Sequence, residues 1–116
     1  MKDCMFCKII KGLLPCSKVY EDEKTFAFND IHPVAPVHVL VVPKQHIPTL
    51  LDVGTGEMDY LSAMVAAVQE VARIKGIDQR GFKTVINCNE EGGQLIYHLH
   101  MHVLGGKRIS LKDKMV

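Results

Sequence analysis

The chain has 116 residues, enough for one domain with a single core but not for two. At 47% hydrophobic and 23% charged it has the composition of a soluble globular protein, and a net charge of +1 leaves no electrostatic footprint for nucleic acid or an anionic membrane. A mononucleotide suits it better than a polymer. No apolar stretch reaches membrane-spanning length, and Lys8 and Lys11 interrupt the early apolar run, so neither a membrane span nor a secretory signal is read and a cytoplasmic setting is expected.

Cys4-Met5-Phe6-Cys7 opens the chain as a C-x-x-C pair, while Cys16 and Cys88 stand alone. Away from an oxidising compartment, a metal or free thiols explain the pair better than disulfides. A single C-x-x-C supplies only half of a tetrahedral zinc site, and the chain has histidines to complete one; the alternative is two reduced cysteines packed in a short helix. That helix is predicted over Phe6 to Lys11, ended by Gly12 and Pro15. A strand from Ser17 to Tyr20 and another from Thr25 to Asn29 form an antiparallel hairpin around the polar turn Glu21 to Lys24. The following Asp30-Ile31-His32-Pro33-Val34-Ala35-Pro36 contains two prolines and is a rigid loop. In it Asp30 is either a turn residue or a carboxylate placed to accept from ribose hydroxyls.

Val37 to Pro43 is a continuous apolar run, the pattern of a central strand covered on both faces. His38 inside it must find a hydrogen-bond partner, as a satisfied core histidine or as support for a catalytic imidazole on a neighbouring strand. A long helix follows, with Thr55 as its cap and Gly76 as its end. Met58, Leu61, Met64, Val65, Val68, Val71 and Ala72 form a stripe predicted to face the sheet. Gly81 to Asn87 is the next strand, and Cys88 to Ile96 a turn. Gly92-Gly93 there is either a plain turn or an N–H concavity for an anion. Asn87 and Gln94 could add amide donors to phosphate or to a leaving group, and Glu90 and Glu91 should be solvated.

Tyr97 to Gly106 carries three of the six histidines, His98, His100 and His102, at alternate positions. Alternation is the period of a strand, which puts Tyr97, Leu99, Met101 and Val103 in the core and the histidines on the other face. Such a row is a polar strand face, a metal chelate or a catalytic constellation with an imidazole nucleophile. One zinc ion cannot take all three on a straight strand. His98 and His102 would stand ~13–14 Å apart, and two imidazoles with their metal bonds span only ~11 Å.

His98-x-His100-x-His102-Val103-Leu104-Gly105-Gly106, with Gly92-Gly93-Gln94 upstream, resembles the signature of the histidine triad family, and its Gly-Gly ending is similar to the histidine triad nucleotide-binding branch. The likeness runs from Cys4 to about Gly106. It implies an α+β, HIT-like fold: about five antiparallel strands, one long helix and a short N-terminal helix, in a single domain over 1–116 with a tail from about 107 to 116. It implies a nucleotide-binding hydrolase acting on purine nucleoside 5′-phosphoramidates or related nucleotidyl conjugates, without a catalytic metal and as a homodimer. By the same resemblance His100 is the nucleophile, and its other nitrogen should donate to a backbone carbonyl. His102 holds a phosphate oxygen and protonates the leaving amine, with His98 on the far side and His38 in support. Asp30 holds the ribose, and Phe6, Ile9, Phe28 and Ile31 sandwich the base beside Asn29; Gly93, Gln94 and Leu95 border the phosphate. Cys4 and Cys7 with His46 and His98 form a structural zinc site. Relatives often carry a hydroxyl residue at Leu95 and some end in Trp-Pro-Pro-Gly, which this chain lacks. Leu95 keeps alive a nucleotide-binding module with vestigial chemistry, beside a dinucleoside polyphosphate hydrolase and a metalloenzyme using the triad as ligands.

Overall fold

Residues 3–110 are described by a computed structural model; residues 111–116, most of the expected tail, lie outside it. The elements are α1 (Met5–Ile10), β1 (Lys18–Glu21), β2 (Thr25–Asn29), β3 (Val37–Pro43), α2 (Met58–Ile74), β4 (Lys83–Val85) and β5 (Met101–Gly105). The strands make one antiparallel sheet in the order β1-β2-β3-β5-β4, so the expected α+β architecture is present. The β1–β2 turn is closed by Asp22, whose Oδ1 accepts from the N–H groups of Lys24 and Thr25 at 2.9 and 2.8 Å.

Alternation along the central strands sorts two cores. Val39 and Val41 of β3 and Met101 and Val103 of β5 join Met64, Ala67, Val68 and Val71 of α2 on one side. On the other side, Leu40 and Val42 pack with Phe26 and Phe28 of β2 and with Phe6 and Ile9 of α1. As expected, β3 is covered on both faces. The second face also carries the histidines. Leu40 pairs with His102 and His38 with Leu104, which makes His38 and His102 diagonal neighbours on the α1 side of the sheet.

Several expected elements are displaced. β1 begins one residue later than expected, and β4 keeps only three residues of the predicted Gly81–Asn87 strand. The triad strand starts at Met101, leaving residues 97–100 irregular. There the Leu99 N–H donates to Ile47 O at 2.7 Å, outside the β3–β5 ladder, and the His98 and His100 rings are drawn to backbone carbonyls. Tyr97 is 44% exposed, outside the core assigned to it, whereas Leu99, Met101 and Val103 are buried. The histidines are not a solvated face: His98, His100 and His102 are at most 2% exposed, with the Phe6 ring of α1 edge-on to His98 and His100, and with His38 and His100 packed against His102. Thr55 does not cap the long helix. A 3₁₀ turn, Thr55–Glu57, precedes it, held by Glu57 Oε1 accepting from the Gly54 N–H at 2.9 Å. Met58 and Val65 sit on the flank of the apolar stripe and are about half exposed, so they do not reach the sheet.

Gly106 turns the chain out of β5 with φ +86°, and a Cβ there would stand 2.8 Å from Pro36 Cβ. Gly106→Ala is expected to lose about 2 kcal/mol of stability in urea denaturation. Gly56→Ala, with ordinary backbone and no heavy atom within 4 Å, should be close to neutral.

Candidate active site

The irregular segment before β5 and the start of β3 bring the sequence's scattered histidines into two adjoining groups. His98 belongs to the first. Its Nε2 lies 2.8 Å from Pro43 O and must donate, so Nδ1 carries the lone pair and points at the Cys4 and Cys7 sulfurs at 3.3 and 3.5 Å. His46 Nδ1 is 3.4 Å from Cys7 Sγ, and the four ligand atoms lie within 4.8 Å of one another. A zinc tetrahedron with bonds of about 2.3 Å to sulfur and 2.0–2.1 Å to nitrogen has edges of roughly 3.3–3.8 Å. The donor set, its spacing and the committed second nitrogen of His98 therefore fit a tetrahedral metal ion. Burial pushes His98 down to about 4, and it also lowers His46 and raises the Cys7 thiol.

The second group is His38, His100 and His102, and its hydrogen bonds assign the tautomers. Val34 N–H donates to His38 Nδ1 at 3.1 Å, which puts the His38 hydrogen on Nε2. That nitrogen lies 2.9 Å from His102 Nδ1, so His102 accepts there and carries its own hydrogen on Nε2. His100 is the reverse: Nδ1 lies 2.7 Å from His98 O and donates, leaving the lone pair on Nε2. Two neighbouring rings, 5.1 Å between centroids, thus hold opposite tautomers, one with a basic Nε2 and one with an Nε2–H. Asp30 Oδ2 stands 3.3 Å from His38 Nε2 at the edge of this group. Burial lowers the proton affinity of His38, and the Asp30 carboxylate opposes that. Asp30, His38 and His102 also place one ligand atom each within metal-binding distance.

The remaining expected site residues divide. Phe6, Ile9 and Phe28 are buried in the α1-side core, whereas Ile31 is 80% exposed beside Asp30 and offers the free apolar surface. Asn29 is tied to Ser17 Oγ at 2.9 Å. Asn87 Oδ1 is buried without a hydrogen-bond partner, a cost that a ligand donor would relieve. Gly93, φ +83°, lets this amide pack against the loop: a Cβ there would meet Asn87 Nδ2 at 3.2 Å.

The Gly-Gly turn takes the plainer of its two expected forms, and Gln94 departs from its expected role. Its N–H groups at Gly92, Gly93 and Gln94 donate inward to Asn89 O and Glu90 O, so these three do not form an anion concavity. The Gln94 side chain is spent as well: Nε2 donates to Pro48 O and Ile96 O, and Oε1 accepts from Asn89 N–H, bracing the loop instead of facing phosphate. Glu90 and Glu91 are exposed, as expected, and Leu95 is 70% exposed. The backbone carbonyl expected to hold His100 is that of His98, while sequence reasoning missed the Pro43 carbonyl and the Val34 N–H that set the other tautomers, because a carbonyl or N–H carries no residue-type signal.

Comparison with known proteins matches residues 11–109 to the HIT domain family model, a span that begins just after Cys4, Cys7 and α1. A purine nucleoside phosphoramidase of Escherichia coli K12 is 40% identical over 106 residues, covering 91% of this chain and 89% of that protein. A histidine triad protein from Clostridium difficile superposes with a TM-score of 0.92 at 48% identity, over 95% of this chain and 96% of that one. A HIT family hydrolase from Legionella pneumophila superposes at 0.91 with 38% identity, over 97% and 100%.

The buried, neutral His98 has a consequence for stability. Unfolded, it takes a proton near pH 6.5, and folded only near 4, so between these values the unfolded chain binds more protons. Stability should therefore fall as pH drops from about 6.5, by about 2 kcal/mol at pH 5. Urea denaturation with a chelator present measures this, and His98→Asn should flatten the slope.

Proposed function

The chain belongs to the histidine triad (HIT) family, and on that premise we propose that it is a nucleotide-binding hydrolase cleaving purine nucleoside 5′-phosphoramidates or related nucleotidyl conjugates. One observation carries the reading: the His98 carbonyl holds His100 Nδ1–H at 2.7 Å, which aims a basic Nε2 into a group whose neighbour His102 presents an N–H. His100 Nε2 attacks the α-phosphorus. The P–N bond breaks, its electron pair goes to the departing amine, and that nitrogen takes the Nε2 proton of a His102 that has first taken a second proton from solvent at Nδ1, so the ring is left neutral. The positive charge left on the nucleotidylated ring is eased by its Nδ1–H bond to the His98 carbonyl. Water then attacks phosphorus while His102 Nε2 takes one of its protons; the bond from phosphorus to His100 Nε2 breaks with its electron pair returning to the ring, which releases the nucleoside monophosphate and restores both histidines. His38 holds His102 in the donor tautomer.

Asp30 keeps lone pairs for the ribose hydroxyls despite its bond to the His32 N–H, and the exposed Ile31 covers the base against the Phe28 side of the core. The orphaned Asn87 Oδ1 suits an N–H of the leaving amine. Leu95 offers no hydroxyl to that group. A second copy of the chain would cover the exposed Met58, Val65 and Ile74 on the outer side of α2 and the short edge strand β4. No helix among the described residues is long and apolar enough to cross a membrane, and with four free cysteines we place the protein in a reducing cytoplasm.

Cys4, Cys7, His46 and His98 would hold a structural zinc ion, whose role is to staple α1 to the triad segment. Elemental analysis should find one zinc per chain, lost in the Cys4→Ser/Cys7→Ser variant with a lowered Tm and retained in His100→Ala. A second equivalent, lost with His38 or His102, would instead support the metalloenzyme.

With adenosine 5′-phosphoramidate, acid quenching in a single turnover should trap a nucleotidyl adduct on the wild-type protein and none on His100→Ala, whose kcat should fall roughly a thousandfold or more. Nucleotide binding without cleavage by the wild type would leave the binding module as the correct description.

A further inference from the structure

Asp30 lies just past the end of β2, where its N–H donates to His38 O at 2.9 Å and ties the loop to the start of β3. Its side chain is only 7% exposed, deep for a carboxylate whose expected work is to meet a ligand from solvent. The two oxygens differ. Oδ1 accepts from the His32 N–H at 2.8 Å and closes a turn, while Oδ2 stands 3.3 Å from His38 Nε2. The same Nε2 lies 2.9 Å from His102 Nδ1, and the Val34 N–H occupies the other ring nitrogen of His38. A single N–H therefore has two acceptors in reach, a neutral imidazole nitrogen and a carboxylate oxygen.

We propose that Asp30 is a positioning residue for the His38–His102 pair, steering the His38 Nε2 hydrogen between its two acceptors and so deciding whether His102 can carry a second proton. While His38 donates to His102 Nδ1, His102 is neutral with one hydrogen, on Nε2. When His102 takes a proton at Nδ1, the His38 N–H must turn away, and Asp30 Oδ2 is the acceptor already in place. The carboxylate then stands beside a cationic pair that burial alone would disfavour. Among the described residues, the titratable groups placed against the pair include Asp30 from the β2–β3 loop and His100, whose ring centroid is 5.1 Å from that of His102. The doubly protonated His102 hands its Nε2 proton to the departing amine as the P–N electron pair moves to nitrogen, which leaves a neutral ring with its hydrogen on Nδ1. Because Asp30 is also the expected ribose acceptor, seating the sugar and loading the proton donor act on one carboxylate. This catalytic use rests on the phosphoramidase reading; the hydrogen-bond choice itself belongs to the ligand-free protein.

Asp30→Asn isolates the effect, since the amide oxygen can keep the turn to His32 while the charge and the second acceptor are lost. Asp30→Ser is the second variant should the first not fold. The ribose role is removed from the substrate side with 2′,3′-dideoxyadenosine 5′-phosphoramidate. On that substrate Asp30→Asn should lower kcat by about tenfold with little change in KM, and move the alkaline limb of kcat to lower pH by roughly half a unit to one unit. Equal kcat and equal pH profiles for wild type and variant on the dideoxy substrate would overturn the proposal, leaving Asp30 to act through the hydroxyls alone. If the wild type cleaves neither phosphoramidate, it is the hydrolase reading that fails. The free protein still decides the proposal: imidazole ¹⁵N resonances of His38 and His102 should titrate at lower pH in Asp30→Asn, and identical titrations would overturn it.

Discussion

Everything this site can do depends on which nitrogen of each imidazole carries the hydrogen. Three backbone groups make that choice: the Pro43 carbonyl for His98, the His98 carbonyl for His100, and the Val34 N–H for His38, which passes the choice on to His102. Buried at 4% exposure or less, the four rings cannot exchange these partners for water at low cost. The tautomers are therefore built into the fold before any ligand arrives. A histidine row with the same spacing on an exposed strand would have no such assignment.

His98 joins the two halves of the site. Its side chain faces the Cys4 and Cys7 sulfurs, and its carbonyl holds the ring of His100. Order in the cysteine cluster is thus transmitted to His100 through one residue, over a single peptide unit. Phe6 strengthens the connection, with its ring edge-on to both His98 and His100 and its place in α1 between the two cysteines. The N-terminal helix is short, six residues, and would be marginal alone. Its packing against His98 and His100 helps to take these two rings out of water.

The irregular backbone at residues 97–100 belongs to the same design. A regular strand would have set His98 and His100 on one face at a fixed spacing, and neither ring could have turned back to a main-chain carbonyl. Giving up ladder hydrogen bonds there frees the segment to pair with Ile47 O and lets two imidazoles of one row serve different purposes. The Gly92-Gly93 turn and Gln94 brace the approach to this segment through their internal hydrogen bonds.

What the sequence determined by itself was the part written in periodicity and residue type. The apolar run of β3, the alternation of Leu99, Met101 and Val103, the C-x-x-C pair and the triad spacing read directly as a sheet covered on both faces, half of a metal site and a histidine row, while the grouping of Cys4 and Cys7 with His46 and His98 came from the family resemblance. The span of a straight strand argued against one ion holding all three histidines, an argument that the irregular backbone at residues 97–100 leaves without its premise. Strand ends, the burial of the histidine face, the inward-turned N–H groups of the glycine turn and the Asp30–His38 contact were decided only in three dimensions. Each depends on a main-chain group or a diagonal neighbour far away in the chain, and local pattern carries no information about which carbonyl or N–H the tertiary fold will bring to a given ring.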